Sequence, residues 1–482
     1  MLLFLLLFTT TLTFAQSQLE ILHSDFFKIN EKNKVKKLIG NVKIKHKETT
    51  FTCDSAYLTK KDNIIEGFGN IKINDKNNFL KSKYLIYDKK QQIAQTSGDV
   101  IFSNKKATIH SEKLYYNLKS KQINYNKRSK ITNENNTIHS NLGKYDIKKK
   151  IMHLKGEVEL KSNDIKFKSD TLIHYPNTSK TLFIGPTNIY NKDNFIYCEK
   201  GTYNESTQKY NLYKNAYIKN EEYYIKGEKI FYNKIKSYSY VTGNSIFVDS
   251  ANNIEILSDT INYFENKKKG VFKNNILLKM VNNKDTLFLR SDSMYIQNNT
   301  LTAKQNIKFF SREIQGKSEI MNYKTKTEEI TLEKEPIIWS SNYQIKGEKI
   351  KIQIKNNKIE NLSVIGHPFF SEKKENGFFN QVKGDKINMI FKENKVKKIS
   401  FEKSVTSIYL VEEKDKIKGF NKTKSQNMEI VFKKNEVSNI KSFGQIESLF
   451  TPIEKQEKEN HAKLIDFSWN EHERPNSIKD IF

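Results

Sequence analysis

Asn41-Val42-Lys43-Ile44-Lys45 and Asn70-Ile71-Lys72-Ile73-Asn74 are one phrase written twice, 29 residues apart. In both, apolar and polar side chains alternate. Successive side chains of a strand point to opposite faces of a sheet, so the alternation describes a strand with one buried and one wet face. Gly40 and Gly69 stand just before the two phrases, and the same grid carries Gly98, Gly156, Gly185 and Gly243, with Lys127 and Lys214 at the two points that lack glycine. Four residues beyond each grid point stand Ile44, Ile73, Phe102, Ile131, Leu160, Ile189, Ile218 and Phe247, apolar every time. Self-similarity at a fixed step of this length marks a repeat architecture.

A second register supports the first. Small residues recur at Cys53, Ser82, Ser111, Ser140, Ser169, Cys198 and Gly227, and less evenly at Ser258, Ser291, Gly316, Gly347 and Gly384. The residue two places earlier is always apolar: Phe51, Leu80, Ile109, Ile138, Phe167, Ile196, Ile225, Ile256, Leu289, Ile314, Ile345 and Val382. Only 37% of the chain is hydrophobic, so such regularity is periodicity rather than chance. Beyond each anchor the inward phase shifts by an odd step, to Leu85, Leu114, Leu172, Ile230 and Ile261. A further series follows at Tyr87, Tyr116, Tyr145, His174, Tyr203, Tyr232 and Tyr263. An odd step implies a corner or bulge, which a small residue suits, and the tyrosines are expected to form a structural ladder. The expected fold is all-β: an elongated, twisted β-jellyroll or solenoid-like stack of repeats about 29 residues long, with several jellyroll units in series.

Around this framework the rest of the chain takes its place. Met1 to Ala15 holds an apolar run, Leu2 to Phe8, ahead of Thr13-Phe14-Ala15, and reads as a secretory signal peptide too short to span a bilayer. The expected plan is a signal peptide over 1–15, regular repeats over 16–250, less regular repeats over 251–370, divergent terminal β repeats over 371–450, and a charged tail or cap over 451–482. In that tail Thr451-Pro452-Ile453-Glu454 has the form of a helix start. The two cysteines, Cys53 and Cys198, occupy one repeat position five periods apart, too far for a disulfide. The formal charge of +28 is spread along the chain rather than gathered, which suits an extended polyanionic partner or solubility.

Catalytic chemistry is missing from the pattern. There is no metal-ligand spacing, P-loop or nucleophile elbow. The carboxylates that follow the anchors (Asp54, Glu112, Asp170, Glu199, Glu228, Asp259, Asp292, Glu348, Asp385) recur through the length, as corner-stabilising groups would and a single active site would not. The sequence predicts a binding scaffold, with no enzyme activity, no cofactor and no metal. Export and the lack of a recognition motif argue against nucleic acid.

Behind the candidate signal peptide, the order of Gly40 to Ile44, Phe51 to Leu58 and Ile65 to Ile73 resembles the OstA-like family, the periplasmic proteins of the LptA type and the related N-terminal domains of the LptD type from Gram-negative bacteria. The Bacteroidetes-type members are especially similar, including the character of Phe467, Trp469, Arg474 and Pro475. The resemblance implies a twisted β-jellyroll with an open apolar groove. It also implies a role in periplasmic lipopolysaccharide transport that contributes to outer-membrane assembly, in association with transport components at the inner and outer membranes and with head-to-tail self-association. The groove residues it points to are Ile44, Phe51, Ile73, Leu80, Phe102, Ile109, Ile131, Ile138, Leu160 and Phe167. The expected location is the periplasm, in association with the outer membrane. A competing expectation is a structural or adhesive β-solenoid with a packed interior and a binding surface.

Overall fold

Each 29-residue phrase folds into two antiparallel strands. In the computed structural model, which describes residues 19–453 and 463–482 apart from short breaks at 31, 33–34, 60–62, 134–135, 163, 282–284, 356–357, 375–376, 394, 414–415 and 434–435, the phrase around Gly40 is the strand Val35–His46 and the phrase around Cys53 is Thr49–Thr59. The next repeat supplies Ile64–Asp75 and Asn78–Asp88. Thirty-six strands are found among the described residues, and every described pairing is antiparallel. Helical structure among the described residues consists of short 3-10 turns such as Glu471–Glu473, and no helix is long and apolar enough to cross a membrane. The candidate signal peptide lies outside the described residues.

Every regular strand bends at one place. At the glycine grid two consecutive residues adopt positive φ, Gly40 at 79° with Asn41 at 45° and Gly69 at 70° with Asn70 at 41°, and the ladder register slips there. Glycine is needed at the first position for more than its backbone freedom. A Cβ on Gly69 would lie 2.2 Å from Oδ2 of Asp54, because that carboxylate reaches over the bend to accept from Nδ2 of Asn70 at 3.0 Å. The contact repeats as Asp25–Asn41, Glu228–Asn244, Asp259–Asn275 and Asp292–Asn306. Four of the carboxylates that follow the anchors, Asp54, Glu228, Asp259 and Asp292, therefore fasten one layer's corner to the next. Where Lys127-Arg128 replaces Gly-Asn, the strand breaks into Gln122–Tyr125 and Ser129–Thr132, and the two cations meet Glu112 and Glu157.

The small anchors sit on the matching bend of the intervening strand. Their hydroxyls donate to the carbonyl two residues on, as Ser111 does to Lys113 at 2.8 Å and Ser169 to Thr171 at 3.1 Å. One expectation needs correction. In the strand Gln315–Lys324 the bend residue is Ser318, which donates to the Ile320 carbonyl, not Gly316. Gly316 instead faces inward, where the Phe309 ring fills the place of its missing side chain, with Cζ 2.1 Å from an added Cβ.

The bends divide each layer into two walls. One carries the aliphatic row that contains Ile44, the other the tyrosine series. The hairpin turns form two rims, one at the free edge of each wall. Contacts divide the chain at 208/209 into two compact units, each with this design. The boundary falls inside the most regular repeats, where periodicity alone gives no sign of it. After residue 390 the layers end in an unusually long hairpin, Lys395–Glu413 with Lys416–Lys433. The helix expected from Thr451 does not begin there: Glu447–Pro452 is a strand paired to Lys416–Lys433, and 454–462 lie outside the described residues.

Gly69→Ala is expected to cost about 2 kcal/mol, combining positive-φ strain with the clash against Asp54. In an Asp54→Ala background the clash share disappears and the φ share remains. A double-mutant cycle read from denaturant midpoints checks this, and additive costs would contradict the packing described.

Candidate functional site

In the first unit the ten expected groove residues form a single ladder. Ile44 lies opposite Phe51, Phe51 opposite Ile73, and the succession continues through Leu80, Phe102, Ile109, Ile131, Ile138 and Leu160 to Phe167. None is more than 2% exposed. Across the interior they meet the tyrosine wall: Phe51 packs 4.6 Å from the Tyr87 ring, Phe102 5.9 Å from Tyr116 and Phe167 5.3 Å from Tyr203. The interior here is filled by protein.

Polar groups join the rims above this filled interior. The Tyr87 hydroxyl meets Nδ1 of His46 at 2.6 Å. Tyr116 donates to Asp75, which also holds Lys121 at 2.5 Å, and Asn104 donates to Tyr145 at 3.5 Å. Ser162 donates to Glu205 at 2.6 Å. Burial raises the Tyr87 and Tyr116 pKa, so both hydroxyls stay protonated. The tyrosines thus pack and also reach across to the opposite rim.

The second unit begins in the same way, with Asn220 bonded to Glu265 and Lys268 to Glu222. Beyond these bridges the walls part around an apolar cavity of about 420 Å³, lined by Met280, Leu289, Met321, Leu332, Ile352 and Phe370 among others. Asn252, Asp285, Ser340 and Asn342 stand on one rim, Ile354 and Lys395 on the other. The volume is within the roughly 300–1,000 Å³ typical of small-ligand sites. A second hollow of about 710 Å³ is walled by Glu319, Glu333, Glu335 and Glu348 with Lys334 and Lys349, a charged lining that gives an acyl chain nothing to bury against.

The cavity was not foreseen from the sequence, although a signal was there. The tyrosine series gives way to Ile296, and five of the seven methionines (Met280, Met294, Met321, Met389, Met428) follow residue 270. Three of them, Met280, Met321 and Met389, put flexible, unbranched side chains into the cavity lining beside rings such as Phe309 and Tyr323.

Residues 463–482 lie across the outer face of the aliphatic wall, behind the cavity. Three outward glutamines, each at most 4% exposed, hold this strap. Gln381 accepts from the Leu464 amide at 2.8 Å. Gln344 accepts from the Asn470 amide and donates to the Ser468 carbonyl. Gln315 accepts from Nε and Nη2 of Arg474 at 3.0 and 2.8 Å. The strap buries Trp339, and Lys317 pairs with Glu473 at 2.5 Å.

Comparison with protein families adds to this geometry. Residues 16–170 match the OstA-like protein family, and residues 137–238 and 242–358 match the family described as LptA/(LptD N-terminal domain) LPS transport protein.

The stretch 16–170 is OstA-like.

Among curated proteins nothing matches this chain. Among solved structures it is similar to LptH, the LptA homologous periplasmic component of the conserved lipopolysaccharide transport device from Pseudomonas aeruginosa, at 10% identity over 29% of this chain and 95% of that one, with a TM-score of 0.23. Of the cavity residues, those from Met280 to Ile352 fall inside the second family match, while Phe370 lies beyond it.

Two cysteines and a histidine buried in the first unit have perturbed chemistry. Burial pushes the thiols of Cys53 and Cys198 up to about 11 and about 12, and both are free. His174 accepts or donates through Nδ1 to Thr181 at 3.1 Å, its Nε2 has no partner among the described residues, and burial pushes its pKa down to about 4.

Between the unfolded value near 6.5 and about 4, the unfolded chain binds the His174 proton and the folded chain does not. Stability is therefore lost as pH falls through that window, by up to about 3 kcal/mol. His174→Phe should flatten the fall in melting temperature between pH 7 and 4.5, and an unchanged profile would refute the assignment. Arg474→Ala removes three hydrogen bonds and should loosen the strap by about 2 kcal/mol. Limited proteolysis should then release 463–482 from the variant before the wild type.

Proposed function

We propose that this chain is a periplasmic lipopolysaccharide-transport protein whose second unit shields an acyl chain in the apolar cavity between its rims. The observation that carries the proposal is the gap between the walls in residues 252–432, lined by Met, Leu, Ile and Phe and open toward the rims. Burying hydrocarbon there gains roughly 25 cal/mol per Å² of apolar surface removed from water. Binding and release are the whole chemistry, so no reacting group is required, and transport toward the outer membrane would be driven by other components.

The two terminal edges support the expected docking of partner components and head-to-tail self-association. Leu19–His23 and Phe26–Asn30 pair on one side only among the described residues and expose Phe26, Phe27 and Ile29. At the other terminus Glu436–Phe443 and Glu447–Pro452 do the same, exposing Ile446, Leu449 and Phe450. An unpaired edge with apolar side chains is a template for an added strand. The packed interior of the first unit favours a second reading for residues 19–208, a structural β-solenoid.

Photocrosslinking separates these readings. A photoreactive residue at Met321 should capture lipopolysaccharide, and one at outward Lys43 should not. Met321→Trp fills the cavity and should weaken binding about tenfold, the equivalent of roughly 1.4 kcal/mol of lost burial. Capture from neither position would leave only the structural reading.

A further inference from the structure

We infer that the rim bridges of the first unit are a gate: they hold its interior shut, and a lipid enters that interior only when they part. The inference rests on the lipid reading above and assigns it residues that access depends on. Its basis is where the bridges lie. His46, Asp75, Asn104 and Ser162 stand on the rim of the aliphatic wall, and Tyr87, Tyr116, Tyr145 and Glu205 on the rim of the tyrosine wall, so each bond spans the mouth of the same interior. The first three pairs share one sequence separation, 41 residues, which repeats the bridge layer by layer.

The second unit contains the comparison. Its bridges, Asn220–Glu265 and Glu222–Lys268, stand one layer before the cavity, whose lining begins with Asn252 at the next turn of the same rim. Among the described residues the series of bridges accompanies the ring-packed interior and ends where the cavity starts.

The chemistry suits a gate better than a permanent seam. The interior rows behind the bridges are apolar, so nothing covalent or ionic holds the two walls together at depth. At the mouth the bonds are hydroxyl contacts, two of them to the carboxylates of Asp75 and Glu205, plus one ion pair, Asp75 with Lys121, in which the lysine is 25% exposed and the carboxylate buried. Hydrogen bonds exchange readily with water or with the phosphate and hydroxyl groups of a lipid headgroup, because their net worth is small. The hairpin turns carrying them can separate while the corners stay fastened by their Asp–Asn contacts.

The full-length chain tests this with two readouts, one of which needs no lipid. Tyr87→Phe combined with Tyr116→Phe removes two hydroxyls and keeps both rings. Losing two hydrogen bonds of ordinary worth shifts a local opening equilibrium about tenfold. Alkylation of the buried thiol Cys53, in the layers that lose their bridges, by a small maleimide should speed up by that factor while Cys198, five repeats away, stays unchanged, whereas Ile73→Val, which weakens the core and touches no bridge, should leave both nearly unchanged. With a photoreactive residue at Phe102, lipopolysaccharide should crosslink in the double variant and not in the otherwise wild-type chain, while crosslinking from Met321 should be equal in both. Strong Phe102 crosslinking with the bridges intact, or equal acceleration of alkylation by Ile73→Val, overturns the gate and leaves the lipid reading standing. Faster alkylation in the double variant with no lipid captured at either site supports the gate and overturns the lipid reading.

Discussion

Everything in this fold depends on strands that turn a corner without losing their partners. A straight strand of twelve residues could bury only one face against a separate layer. Bent at Gly69-Asn70 and its equivalents, the same strand supplies both walls of an interior and faces itself. The bend places two consecutive residues in the left-handed region, which costs free energy for any side chain larger than glycine. The contact between Asp54 and Asn70 offsets part of that cost and fixes the corner of one layer to the next. Remove the corners and the apolar rows have nothing opposite them.

Given the corners, the contents of the interior decide what each unit can do. Rings pack against rings in the first unit: Phe51 meets Tyr87, and Phe167 meets Tyr203. In the second unit methionine and leucine line walls that stand apart, and the outer face of one of those walls is backed by the strap through Gln315, Gln344 and Gln381. A wall with a cavity on its inner side lacks half of its packing. Covering its outer residues Trp339 and Phe369, the latter with Leu464 and Phe467, restores contacts that the cavity withholds.

Much of this was legible because the fold is a period-two code interrupted at fixed places. The aliphatic row from Ile44 to Phe167 and the tyrosine series could be assigned to the interior from spacing alone, and the carboxylates after each anchor to the corners. Three things were not legible. Spacing does not report volume, so the same inward positions describe a filled interior at Phe102 and an open one at Met321. The bend at Ser318 was misplaced to Gly316 because glycine is as suitable for accepting a neighbour's ring as for a corner. The strap follows no period at all; its glutamines look like ordinary wet-face residues until Arg474 and Asn470 are seen against them.

The strap also sets an order in time. Neighbouring strands close over a few residues of turn, so layers can zip up as soon as they are made, the low-contact-order route to fast folding. The bond from Arg290 to the Ile481 carbonyl joins residues 191 apart. During synthesis from the N-terminus, the cavity wall must therefore stand with Trp339 uncovered until the final twenty residues emerge. A chain interrupted just short of its C-terminus would have all of its layers and still display an apolar outer face, the kind of surface that chaperones and proteases select.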